Sequence, residues 1–342
     1  LICRFTKNCL SLVVKKDEEG NFQTVDVTED QKKYHYFGVP FMFNLVMDNS
    51  PLQLDLSQRV LLYLQDIISE FPVPNIFLSI INECFENLAQ DRSVYQSLVV
   101  MKRFIMTIRE IVAYQAFCDA YFAKIASDHS LINDLVKDII EYWQKVRERM
   151  KAYRGAMRDE VTKEEGLIEE SFVGKFSHKK NIFERLYALR DFALYIYPDT
   201  PLDTEQVKSL WRVFVLEPNF VFETNEFLRM ISMLYNMNGR PNLLVKVNDL
   251  KSVLLEILCN EEMLIIDHLT IDKFNCLEFF FICVNMKESR VFIDQKETKA
   301  DGVLSSNQMK VMDHDLFGLD FLWKCLERCP DSFLVEQFTG LL

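Results

Sequence analysis

Glycine and proline are scarce in this chain. Its 342 residues include 9 of each, whereas average usage would give about 24 glycines and about 17 prolines. β-Sandwiches and nucleotide-binding α/β enzymes need many glycines in turns and phosphate loops, so the shortage disfavours both classes. A chain built mostly of helices has no such need. The composition therefore predicts an all-α protein.

Long apolar runs are missing as well. The most apolar uninterrupted run, Phe279–Val284, is far shorter than the ~18–20 residues of a membrane helix. The net charge of −12 disfavours nucleic acid and anionic membranes as partners. Because the chain begins at Leu1 and charged residues interrupt its first apolar stretch, we expect a piece of a longer protein and no signal peptide.

Sequence motifs for catalysis are absent. The chain carries no phosphate loop, dinucleotide-binding glycine pattern, H-E-x-x-H or G-x-S-x-G, so no catalytic or cofactor-binding residue and no cofactor is predicted. Cys325 and Cys329 could share a helix face, but zinc sites normally add a second ligand pair nearby. We interpret the cysteines as buried structural thiols and predict no metal site. The five isolated histidines are interpreted as surface or helix-end residues.

The nine cysteines are an odd number, and no N-glycosylation sequon is present. Both observations favour a reducing compartment. We expect a cytoplasmic protein, with the nucleus as an alternative.

Apolar residues recur at helical spacing along most of the chain. Asp203, three residues before Gln206, indicates a capping box at one helix start. The three tryptophans are predicted on the apolar sides of their helices. The pattern predicts helices over residues 52–70, 75–90, 93–126, 131–150, 182–196, 203–214, 223–237, 246–259, 271–287, 316–328 and 331–342.

Helices of this length with short joints must stack to bury their apolar faces. We predict an armadillo/HEAT-like α-solenoid, a superhelical stack of antiparallel helix pairs, with a globular helical bundle as the alternative. The predicted parts are a helical-repeat block (1–152), a charged flexible hinge (153–176) and a second helical-repeat block (177–342) with a disordered insertion at about 289–313. Residues 17–30 are predicted to form a further polar loop.

Two segments resemble a known family. The first runs from His178 to Met230 and includes Glu184-Arg185-Leu186, Leu189-Arg190-Asp191-Phe192 and Leu210-Trp211; the second is Gly318-Leu319-Asp320-Phe321-Leu322-Trp323. Both are similar to the armadillo-like region that precedes the protease domain in the giant ubiquitin-specific proteases of the fat-facets type. The family-motif positions, to which the resemblance assigns structural roles, are Leu186, Leu189, Phe192, Leu210, Trp211, Gly318, Leu319, Asp320, Leu322 and Trp323.

The resemblance implies a non-catalytic scaffold segment of a large cysteine deubiquitinase. Its partners would be proteins, including ubiquitinated substrates, and the parent's own catalytic domain would lie downstream. The cysteine and histidine boxes of that protease are absent here, so no catalytic residue carries over. Two alternatives stay open: a stand-alone armadillo/HEAT-type adaptor or transport protein, and a helical enzyme whose site is assembled from separated residues.

Overall fold

Most of the described residues lie in helices. The computed structural model describes residues 2–16, 22–24, 38–128, 130–156, 164–196, 202–237, 240–241, 246–293 and 309–342. It divides into two compact units, Leu1–Asp191 and Phe192–Leu342. The predicted hinge, residues 153–176, lies within the first unit, and its role as a hinge stays a prediction.

The described residues of the first unit form helices and one short antiparallel ladder. Strand β1 (Val14–Lys16) pairs with β2 (Phe22–Thr24), so the predicted loop 17–30 includes strand residues. The helices, in chain order, are α1 (Ile2–Val13), α2 (Gly38–Val46), α3 (Leu54–Glu70), α4 (Pro74–Ala89), α5 (Val94–Arg109), α6 (Gln115–Asp128), α7 (Leu131–Ala156), α8 (Glu164–Ile168) and α9 (His178–Ile196), the last crossing into the second unit.

The described residues of the second unit form helices and two further two-stranded ladders. Strand β3 (Asn236–Met237) pairs with β4 (Arg240–Pro241), and β5 (Val291–Ile293) pairs with β6 (Met309–Val311). Its own helices are α10 (Thr204–Trp211), α11 (Val221–Tyr235), α12 (Val247–Val253), α13 (Ile271–Lys287), α14 (Leu319–Arg328) and α15 (Ser332–Leu341). The prediction of an all-α protein is confirmed.

Local sequence signals explain several helix ends. Pro74 begins α4, where its missing N–H costs no hydrogen bond. Asp203 caps α10 in the predicted capping box, with Gln206 N–H donating to Asp203 Oδ1 at 2.8 Å and Asp203 N–H to Gln206 Oε1 at 2.9 Å. Both α10 and α12 end in a π turn, at 212–216 and 254–258.

Each unit packs apolar helix faces against one another. In the first, α4 lies against α5 across the connection 90–93, and the rings of Phe77 and Phe104 meet with centroids 6.0 Å apart. In the second, α13 lies against α11 and α12, and Tyr235 meets Phe280 edge to face at 5.1 Å. Such interdigitated aromatic contacts typically add about 0.5–1.5 kcal/mol beyond the area they bury.

Three predicted segments differ from the structure. The single helix over 93–126 is wrong: α5 ends at Arg109, and a 3₁₀ turn at 112–114 leaves Val112 82% exposed before α6 begins. Helix α7 continues to Ala156 and α8 forms inside the predicted hinge, whose residues 157–163 lie outside the described part. The ends of the predicted disordered insertion are paired as β5 and β6, while 294–308 lie outside it.

Candidate functional site

The family-motif residues of α9 are core residues. Leu186, Leu189 and Phe192 are fully buried. They recur at intervals of three along the helix, so they lie on one broad face of it. These three side chains pack α9 into the hydrophobic core.

Leu210 and Trp211 anchor α10 in the second unit. Both are buried, and the Trp211 ring meets Phe227 edge to face with centroids 6.1 Å apart. Its indole Nε1 donates a hydrogen bond of 2.7 Å to the carbonyl of Met263. The tryptophan thus fills a core position without leaving its N–H unpaired.

The chain enters α14 through a tight turn at Gly318. This residue has φ +84, and a Cβ there would lie 3.1 Å from Cys259 Sγ. A left-handed backbone with so little space favours glycine. Leu319 and Asp320 then form the first turn of α14, with Asp320 exposed near the positive end of the helix.

A buried amide holds the residue before that turn. The side chain of Asn285, at the end of α13, accepts a hydrogen bond from Phe317 N–H at 2.9 Å and donates one to Phe317 O at 3.1 Å. It also donates to Phe281 O at 2.8 Å. Sequence analysis missed this role, although an amide beside the apolar run Phe279–Val284 was the available signal.

Two cations cover the Phe317 ring. Lys251 Nζ lies 4.2 Å and Arg290 Cζ 4.1 Å from the ring centroid. The carbonyl of Arg290 accepts hydrogen bonds from the N–H groups of Met312 and Asp313, at 2.7 and 3.2 Å. These contacts fix the segment between the β5–β6 ladder and the start of α14.

The motif side chains Leu322 and Trp323 of α14 differ in exposure. Leu322 is buried, as are Phe321 and Cys325. Trp323 is 48% exposed, so the prediction that it packs on the apolar side of its helix is wrong, whereas Trp143 and Trp211 are buried as predicted. The reason is angular: position 323 lies about 100° from 322 around a helix.

A buried polar network in the first unit was also missed by sequence analysis. Arg185 on α9 donates to Asp138 on α7 through Nε at 2.8 Å, and to Asn181 Oδ1 at 2.6 Å. Its guanidinium lies 4.1 Å from the ring centroid of Tyr142, whose hydroxyl is 3.1 Å from Nδ1 of His178. Burial raises the pKa of Asp138, and the Arg185 charge opposes that rise.

One histidine of this network lies at a helix end. His178 begins α9, which agrees with the prediction of surface or helix-end histidines, and its side chain is fully buried. His268 and His314 are exposed as predicted, and His35 and His129 lie outside the described residues.

Burial lowers the nucleophilic reactivity of the described cysteines whose pKa is shifted. Burial raises the pKa of Cys259, Cys276 and Cys325 to about 12. It also raises those of Cys84, Cys118 and Cys283. Since the thiolate is the nucleophile, these six side chains are poorly suited to attack a carbonyl.

An open cleft of ≈ 410 Å³ lies in the first unit, at the connection between α4 and α5. Asp91 and Ser93 there have positive φ values of 52 and 45. The carboxylate of Asp48 is already engaged, accepting from Gln96 Nε2 at 2.8 Å and from Lys175 N–H at 3.1 Å. The contacts of Asp48 therefore stabilise the loops around the cleft.

Within the described ranges, no group of three or more His, Cys, Asp or Glu side chains is arranged to hold a metal ion. Among the same residues, no helix has the length and apolar character needed to cross a membrane.

Residues 61–285 match the family described as UBP24/USP9X/USP9Y ARM repeat. The match spans α3 to α13 and so covers more than half of the chain. It confirms the armadillo-like helical-repeat fold and the resemblance seen in the sequence. No curated protein and no solved structure matches the chain significantly.

Proposed function

The chain belongs to the UBP24/USP9X/USP9Y ARM-repeat family, and from this we propose that it is a non-catalytic scaffold segment of a large ubiquitin-specific cysteine protease. In this role its helical surfaces bind protein partners, among them ubiquitinated substrates. The family match over residues 61–285 carries the proposal. We place the protein in the cytoplasm, with the nucleus as an alternative.

The chemistry of the described side chains supports a binding role over a catalytic one. A cysteine protease needs a low-pKa thiol beside a base. Here burial raises the pKa of six thiols, and the buried His178 faces the Tyr142 hydroxyl. Repeat proteins of this type instead recognise partners by shape and charge over a broad area.

The first test is hydrolysis of a ubiquitin–fluorophore conjugate by this chain and by its full-length parent. We expect thiol-dependent hydrolysis by the parent and none by the chain. Hydrolysis by the chain itself would contradict the proposal. An inactive parent without a protease domain would instead support the adaptor alternative.

The second test concerns partner binding. We expect the chain, immobilised, to retain ubiquitinated proteins that the parent deubiquitinates. Retention equal to that by an unrelated helical-repeat protein of similar charge would refute the substrate-binding role.

A further inference from the structure

The solvent side of α14 combines an exposed indole with carboxylates. We call Leu319, Asp320, Trp323, Leu326 and Glu327 the outer face of α14. Asp320 is three residues before Trp323 and Glu327 four after it, so both carboxylates adjoin the indole on the helix surface. Leu319 and Leu326 are half-buried and border the indole on its other side.

The charged and aromatic groups of this face have no partners among the described residues. No hydrogen bond, ion pair or ring contact joins Trp323, Asp320 or Glu327 to another described side chain. A tryptophan that is 48% exposed leaves part of its apolar indole in water. Exposed groups of this kind mark interaction surfaces more often than a lone leucine does.

The basic residues of α14 pair with carboxylates on other segments. Lys324 Nζ and Arg328 NH1 bind the two oxygens of Glu261, at 3.2 and 2.7 Å. Arg328 also lies 3.9 Å from Asp267. Both cations of the helix are thus paired with carboxylates outside α14, and neither forms an ion pair with Asp320 or Glu327.

We propose that the outer face of α14 docks a positively charged segment of a partner protein, and this inference rests on the proposed scaffold function. An arginine of the segment stacks on the Trp323 indole while its guanidinium pairs with Asp320 or Glu327. Such a contact combines a cation–π interaction with a charge-assisted hydrogen bond. Apolar residues of the segment pack on Leu319 and Leu326.

Charge complementarity selects this occupant over two others. Nucleic acid would place phosphates against the same carboxylates. A second copy of the chain would bring the same two carboxylates and a net charge of −12. A basic segment makes favourable contacts with both the indole and the carboxylates.

The test measures binding of a fluorescent peptide of alternating arginine and leucine residues to the whole chain, by fluorescence anisotropy. We expect Trp323→Ala to weaken binding at least about tenfold, the loss typical of a central tryptophan. The double variant Asp320→Asn, Glu327→Gln should weaken it about as much and flatten its salt dependence. Leu62→Ala and Glu336→Gln, at exposed positions on other helices, should leave it unchanged.

A second readout uses the indole directly. Trp143 and Trp211 are buried, so acrylamide quenching reports mainly on Trp323. The arginine–leucine peptide should protect that fluorescence, and a glutamate–leucine peptide should not. Equal protection by both peptides would overturn the proposal.

Equal binding by Trp323→Ala and the unaltered chain would also overturn the docking site, since the peptide would then be held by the general acidic charge. This failure is separable from that of the scaffold function. If Trp323→Ala still retained ubiquitinated proteins, the scaffold role would stand without this surface.

Discussion

Replacing Asn285 by alanine tests how the second unit positions α14. The variant removes the two hydrogen bonds to Phe317, at 2.9 and 3.1 Å, and the one to Phe281 O. A net value of about 1 kcal/mol for each bond to Phe317 gives about 2 kcal/mol, with further cost if water cannot reach the freed groups. Because Phe317 is half-buried, water reaches part of the site, and we expect a loss of about 2–3 kcal/mol.

Hydrogen exchange followed by mass spectrometry resolves where that loss falls. We expect faster exchange over residues 315–322, including the Phe317 amide, while the first unit exchanges at its original rate. Asn44→Ala, an exposed amide on α2, is the matched control and should change neither. Unchanged protection at 315–322 in the Asn285 variant would refute the claim that this amide holds the turn.

Two further predictions concern the first unit. Gly174→Ala should lower the free energy of unfolding in urea by about 1–3 kcal/mol, because Gly174 has φ +73 and the new Cβ would lie 2.8 Å from Asp48 Oδ1. The control Gly166→Ala has open space around its Cβ and should be neutral or stabilising. Equal effects of the two substitutions would refute this reasoning. Burial raises the pKa of Glu184 above 4.5 in the folded chain, so the folded chain keeps this proton at pH values where the unfolded chain has released it. The contribution of Glu184 to stability therefore falls as pH rises from the unfolded pKa to the folded one. The stability of Glu184→Gln relative to the original chain should therefore increase with pH above about 4.5, and urea titrations showing a decrease would contradict the sign.

Sequence patterning was most informative where one helix face is apolar and the ends carry specific signals. The helix over 271–287 has the predicted bounds, and Asp203 with Gln206 forms the predicted cap. Both features are local, so neighbouring residues alone encode them. The same holds for Trp211, whose flanking positions 207, 210 and 214 are all buried.

Features that depend on distant contacts were not predictable in this way. Residues 110–114 contain no glycine or proline, so nothing local indicated the break between α5 and α6. The pairing of Arg185 with Asp138 joins positions far apart in the chain. The exposure of Trp323 depends on its angle around α14, which the presence of an aromatic residue among leucines does not indicate.

The β5–β6 ladder has a consequence for tolerance to inserted sequence. Val291 pairs with Val311 and Ile293 with Met309, so the two ends of the intervening segment are fixed beside each other independently of its length. Doubling a flexible loop costs only about 0.6 kcal/mol in closure entropy. We therefore expect a sequence inserted between Ile293 and Met309, or a reporter domain whose termini lie close together, to leave α13 and α14 in register.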